Sequence, residues 1–372
     1  MAASATERAH LRFALAVHRA VAGRSGDSCY SPYSVASALG LVATAGRGAT
    51  GDEVATLLAG SADGVPEQAR LLREAAALPG ASEGQDGAVL AVSNTLWAWE
   101  ELRIAHEFTG ELARWPGGTL ATAPFVSDPE AARGMINADV AKATRDLIPE
   151  LLSPGDVADD TVASLVNALY LRAGWLFPFR EDDTAPADFH PPSGTRRVPM
   201  MRQSEQLGYA AGHGWRLVSL AAEGDVEAVA LLPEGELADQ ESTLDADLLR
   251  ELLSARRTTQ VDLAMPRFSL DVRSELTRAL RSLGVETMFT RAADFGALTE
   301  DARMFVSGVL HQAVLRVGES GLEGAAATAA MMRLVSMPAG EPVTVELDRP
   351  FLFLVRHRGT GAVYFLARIV EP

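Results

Sequence analysis

The chain has 372 residues, 48% hydrophobic and 22% charged, which excludes a disordered chain and, at roughly 150 residues per domain, allows about two domains or one large one. Its formal charge is −16, from 49 acidic and 33 basic residues. That field repels phosphate and sulfate polyanions, so neither nucleic acid nor glycosaminoglycan is an expected partner.

Met1 to His10 lacks the apolar stretch of a secretory leader, so a native start at Met1 implies a cytoplasmic protein, and removal of an upstream leader an extracellular one. Thr6 to Ala22 follows a helical period, with Leu11, Leu15, His18 and Ala22 on one face, and Gly23 and Gly26 end it. In Ser31-Pro32-Tyr33-Ser34, Ser31 reads as an N-cap with proline in the first turn of an apolar helix reaching Ala45. Thr50-Gly51-Asp52-Glu53 matches a capping box before a short helix through Leu58. Ala88 to Leu96 reads as a strand, Asp128 to Thr144 as a helix and Thr161 to Leu171 as an apolar run. Trp215 to Leu232 holds two strand-like runs that end at the turn Pro233-Glu234-Gly235. Val261 to Leu270 alternates, Ser274 to Leu283 is helical up to Gly284, and Val343 to Val370 reads as strand, turn and strand. No repeat, linker or compositional break divides the chain, and early helices with late strands give one α+β domain over 1–372.

Few residues suggest catalysis or metal binding. Gly46-Arg47-Gly48-Ala49-Thr50-Gly51 fits GxGxxG, but a helix rather than a strand precedes it, against a dinucleotide site. No GxSxG or HExxH occurs, and the seven histidines lack metal spacing, so no cofactor and no metal is expected. Cys29, the single cysteine, excludes an internal disulfide and a thiolate cluster; it reads as a buried inert thiol. No run reaches the roughly 20 apolar residues of a membrane span, so no membrane partner is expected.

One segment is anomalous. After the strand-like Ala313 to Val317 comes GESGLEGAAATAAMMRLVSMPAGEP, from Gly318 to Pro342. A long connection of this kind is functional or disordered. As a strand, Leu322, Gly324, Ala326, Thr328 and Ala330 would share one face that can be buried, with Glu323, Ala325, Ala327 and Ala329 on the other. The plain alternative is a surface loop.

These residues resemble the serpin family, serine protease inhibitors, over nearly the whole chain. Glu319-Ser320-Gly321-Leu322-Glu323-Gly324-Ala325-Ala326-Ala327-Thr328 is similar to the hinge of inhibitory members, bacterial ones among them. Arg349-Pro350-Phe351-Leu352-Phe353 resembles the signature after the reactive loop, and Val166-Asn167-Ala168-Leu169-Tyr170-Leu171 with Gly174-Trp175 and Pro178-Phe179 resembles the third central strand and its continuation. Ser31-Pro32-Tyr33-Ser34, Val198-Pro199-Met200-Met201, Leu232-Pro233-Glu234 and Met265-Pro266-Arg267-Phe268 match further blocks in order. An Arg-rich chain with Lys142 as its only lysine suits a bacterial, GC-rich genome.

The resemblance implies large mixed β-sheets, a layer of helices and a mobile reactive loop at about 319–342. It implies a monomeric suicide inhibitor, not an enzyme: a serine protease attacks the loop, and the cleaved loop inserts into the central sheet and traps the acyl-enzyme. Ser31, Ser34, Asn167 and His311 fall at the family's shutter and Trp175 at its breach; a catalytic Ser–His pair is the rival reading of the former. Family spacing from Glu319 puts the reactive bond at Val335–Ser336, for an elastase-like or subtilisin-like target. Met332, Arg333 and Leu334 are alternative reactive residues, which would suit trypsin-like or chymotrypsin-like proteases. The sequence departs from the family at Leu322, which can be buried but whose bulk would slow insertion, at Gly324 and at Ala367, and the stretch from the reactive bond to Pro350 is a few residues longer than the family's usual one. The alternative function is a non-inhibitory serpin, a carrier or chaperone cleaved as a plain substrate.

Overall fold

The computed structural model describes residues 5–23, 26–79, 87–157, 161, 163–300, 304–306, 308–322 and 341–372. Helix α1 (Ala5–Val21) buries Leu11, Phe13, Leu15, Val17 and His18. After β1 (Ser28–Tyr30), helix α2 (Pro32–Ala45) starts at Ser31, whose hydroxyl accepts the Ser34 N–H at 3.1 Å. That hydrogen bond satisfies one of the free donors of the first turn.

Helices α3 (Ala49–Ala59) and α4 (Val65–Ala76) follow. The capping box expected at Thr50 and Glu53 does not form: α3 starts after Gly48 without a side-chain cap. Thr50 Oγ1 instead accepts the Asp294 N–H at 2.9 Å, and the Glu53 carboxylate accepts the Glu286 and Thr287 N–H groups, both at 2.8 Å. These side chains satisfy backbone donors of a distant segment, which local spacing cannot reveal. The glycine-rich run here follows a helix, not a strand.

The chain continues through β2 (Val89–Trp99), α5 (His106–Leu112), β3 (Gly118–Ala123), α6 (Pro129–Ala143), β4 (Ala163–Gly174), β5 (Ala185–Phe189), β6 (Arg196–Gly212), β7 (Trp215–Ala221) and β8 (Val226–Pro233). Then come α7 (Leu237–Glu241), α8 (Ala246–Ala255), β9 (Arg257–Pro266), β10 (Phe268–Glu275) and α9 (Thr277–Ser282). The last strands are β11 (Leu310–Val317), β12 (Gly321–Leu322), β13 (Val343–Glu346), β14 (Phe351–His357) and β15 (Val363–Ile369). Asp128 caps α6 by accepting the Ala131 N–H at 2.9 Å.

Three boundaries differ from expectation. The alternation from Val261 to Leu270 is two strands that part at Arg267 and enter different sheets. The helix expected from Ser274 begins at Thr277, because β10 runs on to Glu275 against Leu310. The C-terminal region holds three strands, since β13 pairs in parallel with β9 before the hairpin β14–β15.

A nine-stranded sheet runs β1-β15-β14-β8-β7-β6-β9-β13, with β5 also on β6. A six-stranded sheet runs β10-β11-β12-β4-β2-β3. Both mix parallel and antiparallel pairs, and the fold is α+β with helices packed on the sheets. Helix α2 packs against β15 of the first sheet and β4 of the second, so it lies between them. Its Leu39, Leu41 and Val42 join the main core. Helix α6 covers the opposite face of the six-stranded sheet, where Ile136 and Val140 cluster with Trp97, Val166 and Ala168. Side chains of β4 therefore alternate between two apolar layers.

Candidate functional site

The segment singled out in the sequence begins in a tight hairpin. Gly318 and Gly321 exchange backbone hydrogen bonds of 3.0 and 3.3 Å, leaving Glu319 and Ser320 as the turn. The returning β12 enters between β11 and β4: Leu322 lies opposite Val317 on one side and Ala173 on the other, and Gly321 lies opposite Gly174. A Cβ on Gly321 would stand 2.3 Å from the Ala173 carbonyl oxygen, so only glycine permits this approach. Leu322 is 1% exposed and belongs to the main core. As a buried side chain it contributes apolar area to that core.

The turn is anchored on all sides. Glu319 accepts from the Thr184 hydroxyl at 2.9 Å and forms an ion pair with Arg267 at 3.6 Å. Its carbonyl accepts the Phe179 N–H at 2.9 Å. Trp175, 1% exposed, donates its indole N–H to the Gly318 carbonyl and its backbone N–H to the Ser320 carbonyl, both at 2.9 Å. Trp175, expected at the breach, thus bonds two carbonyls of the turn from which β12 enters the sheet. Thr184, Phe179 and Arg267 were not singled out from the sequence; the Phe179 and Arg267 blocks carried a family match without a role.

Below this point the six-stranded sheet changes character. Among the described residues, β12 alone joins β11 to β4, so β4 below Ala173 and β11 below Val317 have no strand pairing on their facing edges. A cavity of about 170 Å³ lies at the base of this slot, lined by Ala163, Leu165 and Val309 along its edges. It is bounded on one side by Leu39 and Val42 of α2, and on the other by Leu151 and Val157.

Of the residues expected at the shutter, Asn167 and His311 lie on the two strands of this slot, and Ser31 and Ser34 at the start of α2. The Ser31 N–H donates to His311 Nε2 at 3.0 Å, and Ser31, Ser34 and His311 are buried. Burial lowers the His311 pKa to about 4. The ring is therefore neutral near pH 7, with its proton on Nδ1 because Nε2 accepts. This geometry opposes the catalytic Ser–His reading: His311 receives a backbone N–H, and the Ser31 hydroxyl serves as the α2 cap. Asn167 does not join that cluster; its amide donates to the Asn94 side chain, which in turn donates to the Pro116 carbonyl. Asn94, fully buried on β2, was missed. Its signal was a second asparagine in an apolar strand, level with Asn167 in the pairing of β2 with β4.

Cys29 is buried on β1 opposite Ala367, and burial pushes its thiol pKa up, away from the reactive thiolate. Arg349 donates to the Pro233 carbonyl at 3.0 Å, and Phe351 and Phe353 pack edge-on to Phe268. The remaining hinge residues Glu323, Gly324, Ala325, Ala326, Ala327 and Thr328 lie outside the described residues. So do Met332, Arg333, Leu334, Val335 and Ser336.

Comparison with known proteins agrees with this geometry. Residues 8–372 match the family model Serpin (serine protease inhibitor). An alpha-1-antitrypsin-like protein of Tamias sibiricus is 32% identical over 97% of this chain and 87% of its own length. Serine proteinase inhibitor A3K of Cavia porcellus is 31% identical over 98% and 89%. Among solved structures, thyroxine-binding globulin in complex with thyroxine superposes with a TM-score of 0.84 at 25% identity, covering 98% of this chain and 99% of that one. Uncleaved ovalbumin superposes with a TM-score of 0.83 at 21% identity, over 98% and 99%, which is a likeness of fold.

Proposed function

The chain belongs to the serpin family of serine protease inhibitors, and from that premise we propose that it is itself a suicide inhibitor and not an enzyme. The protease attacks Val335–Ser336, and the acyl-enzyme is carried away as the loop inserts between β11 and β4. The observation that carries this reading is the pairing of Gly321 and Leu322 between those strands, above edges that have no described strand pairing. Continuing that antiparallel register gives the inserting strand a place at every step. Once inserted in that register, Ala326 would fall level with Leu169 and Ala313, and Thr328 level with Asn167 and His311, on the face that carries Leu322. The Asn167 side-chain oxygen is buried without a hydrogen-bond partner, which suits an arriving threonine hydroxyl. Each backbone hydrogen bond gained contributes about 1 kcal/mol net.

Valine before the bond suits an elastase-like or subtilisin-like pocket. The Arg-rich composition suits a bacterial source, and the charge suits a monomer with no polyanion partner. The test is a denaturing gel after mixing with elastase-, subtilisin-, trypsin- and chymotrypsin-like proteases. An SDS-resistant complex, with a released fragment beginning at Ser336, is expected. The second reading, a non-inhibitory carrier, is favoured by the likeness to thyroxine-binding globulin in complex with thyroxine. Cleaved chain with fully active protease at every ratio would select it.

A further inference from the structure

Helix α1 is clasped at its second turn by groups from three other segments. The His10 ring is fully buried. Its Nε2 accepts the Val363 N–H of β15 at 3.0 Å, so the ring is neutral and carries its proton on Nδ1. Nδ1 meets the side-chain amide of Gln68, on α4, at 2.6 Å. Gln68 is also fully buried and its amide oxygen has no other partner, so that oxygen is the acceptor for the ring proton. One turn earlier, Glu7 pairs with Arg356 of β14 at 3.5 Å.

The surrounding charges balance only while His10 is neutral. Arg356, 5% exposed, faces Glu227 of β8 at 3.2 Å as well as Glu7, and Arg256 pairs with Glu227 at 2.6 Å. Two arginines thus meet two carboxylates. His357, next along β14, accepts the Thr360 N–H at 3.1 Å and lies 3.9 Å from Asp225, with Glu74 of α4 as a further acid acting on it. A proton added to His10 would set its Nε2–H against the Val363 N–H and place an unpaired cation near Arg356. Burial lowers the His10 pKa to about 4, and the Arg356 charge acts in the same direction.

We propose that protonation of His10 releases residues 5–13 from β15 and α4, so that the first half of α1 is an acid-operated latch on the nine-stranded sheet. This device does not depend on loop insertion. The second half of α1 has its own hold: His18 and Arg368 of β15 share the Glu241 carboxylate, and Arg368 also donates to the Ala22 carbonyl at 3.0 Å. In the first half, the ion pair of Arg8 with Asp247 of α8 is half exposed, and such pairs hold little. Release bares Leu11 and Phe13, so acid uncovers an apolar face that is sealed at neutral pH.

Amide hydrogen exchange between pH 7 and 4.5, each rate divided by the intrinsic rate at that pH, tests this. Protection of residues 5–13 is expected to fall about 50-fold, the linkage of one histidine lowered from about 6.5 to about 4. Protection of β8 is expected to hold over the same range. His10→Gln keeps an acceptor for the Val363 N–H without the titration, so it should match the parent at pH 7 and lose most of the fall. His213→Gln removes an exposed histidine paired with Glu251 and should fall as the parent does. Protection of residues 5–13 that does not change with pH in the parent would overturn the latch. So would a fall as large in His10→Gln, or one in which β8 opens together with α1.

Discussion

The two sheets of this molecule are held together differently. In the nine-stranded sheet, β14 is paired with β8 and β15 along its length, and every residue of all three strands is buried. In the six-stranded sheet, β4 pairs fully with β2, yet only two residues of β12 link it to β11 among the described residues. In the middle of the first sheet β14 has a strand on each edge; in the second, among the described residues, β4 and β11 face each other with only β12 between them. The two sheets thus differ in how completely their described strands are paired, and α2 connects them by packing on both.

The largest effect is expected from a charge on the face that enters the second sheet. Ala326→Arg should convert inhibitor to substrate, because its side chain would be buried without a partner between Leu169 and Ala313. The stoichiometry of inhibition measures this, and an unchanged value would break the assigned register. In the first sheet the expected effect is on stability alone. Phe353→Ala removes a fully buried ring packed at 5.3 Å from Phe268 and should cost about 3–5 kcal/mol. Urea melts of intact and cleaved protein should show equal losses; a loss confined to one form would mean that the sheets are not independent.

Acid sharpens the comparison through the shutter. Burial lowers the pKa of His311 to about 4, below the unfolded value of about 6.5. The folded state therefore binds the proton more weakly. The stability this contributes is full above about pH 6.5 and is lost as pH falls toward about 4, roughly 3 kcal/mol in all. His10, also buried and lowered to about 4, adds a similar loss. His311→Gln keeps an acceptor for the Ser31 N–H and removes one titration, so the loss between pH 7 and 4.5 should be clearly smaller, with His10 and the likewise lowered His357 still contributing. An unchanged loss would place the acid sensitivity outside the shutter.

What the sequence made legible follows the range of the interactions. Ser31 was readable as a cap because it bonds an N–H three residues on. The run of small residues from Gly324 to Ala330 stood out after a strand, but it lies outside the described residues. Thr50 and Glu53 were misread because their partners lie more than 230 residues away, around 286–294. The break at Arg267 was invisible because alternation marks a strand without naming its sheet. Asn94 was missed for a related reason. A polar residue in a strand becomes informative only once the register sets it beside Asn167. The buried pairing of His18 with Glu241, which also takes Arg368, likewise joins three distant segments.

The central claim is that the six-stranded sheet is unfinished until the loop enters it. Differential scanning calorimetry of intact protein and of protein cut once between Val335 and Ser336, at equal concentration, tests this most directly. Many new backbone hydrogen bonds, at about 1 kcal/mol net each, are a large increment on the roughly 5–15 kcal/mol of a typical domain. The cleaved form should melt at a clearly higher temperature than the intact form. A nicked surface loop leaves stability unchanged or lowers it, so an equal or lower melting temperature after cleavage would contradict insertion and the trapping mechanism that depends on it.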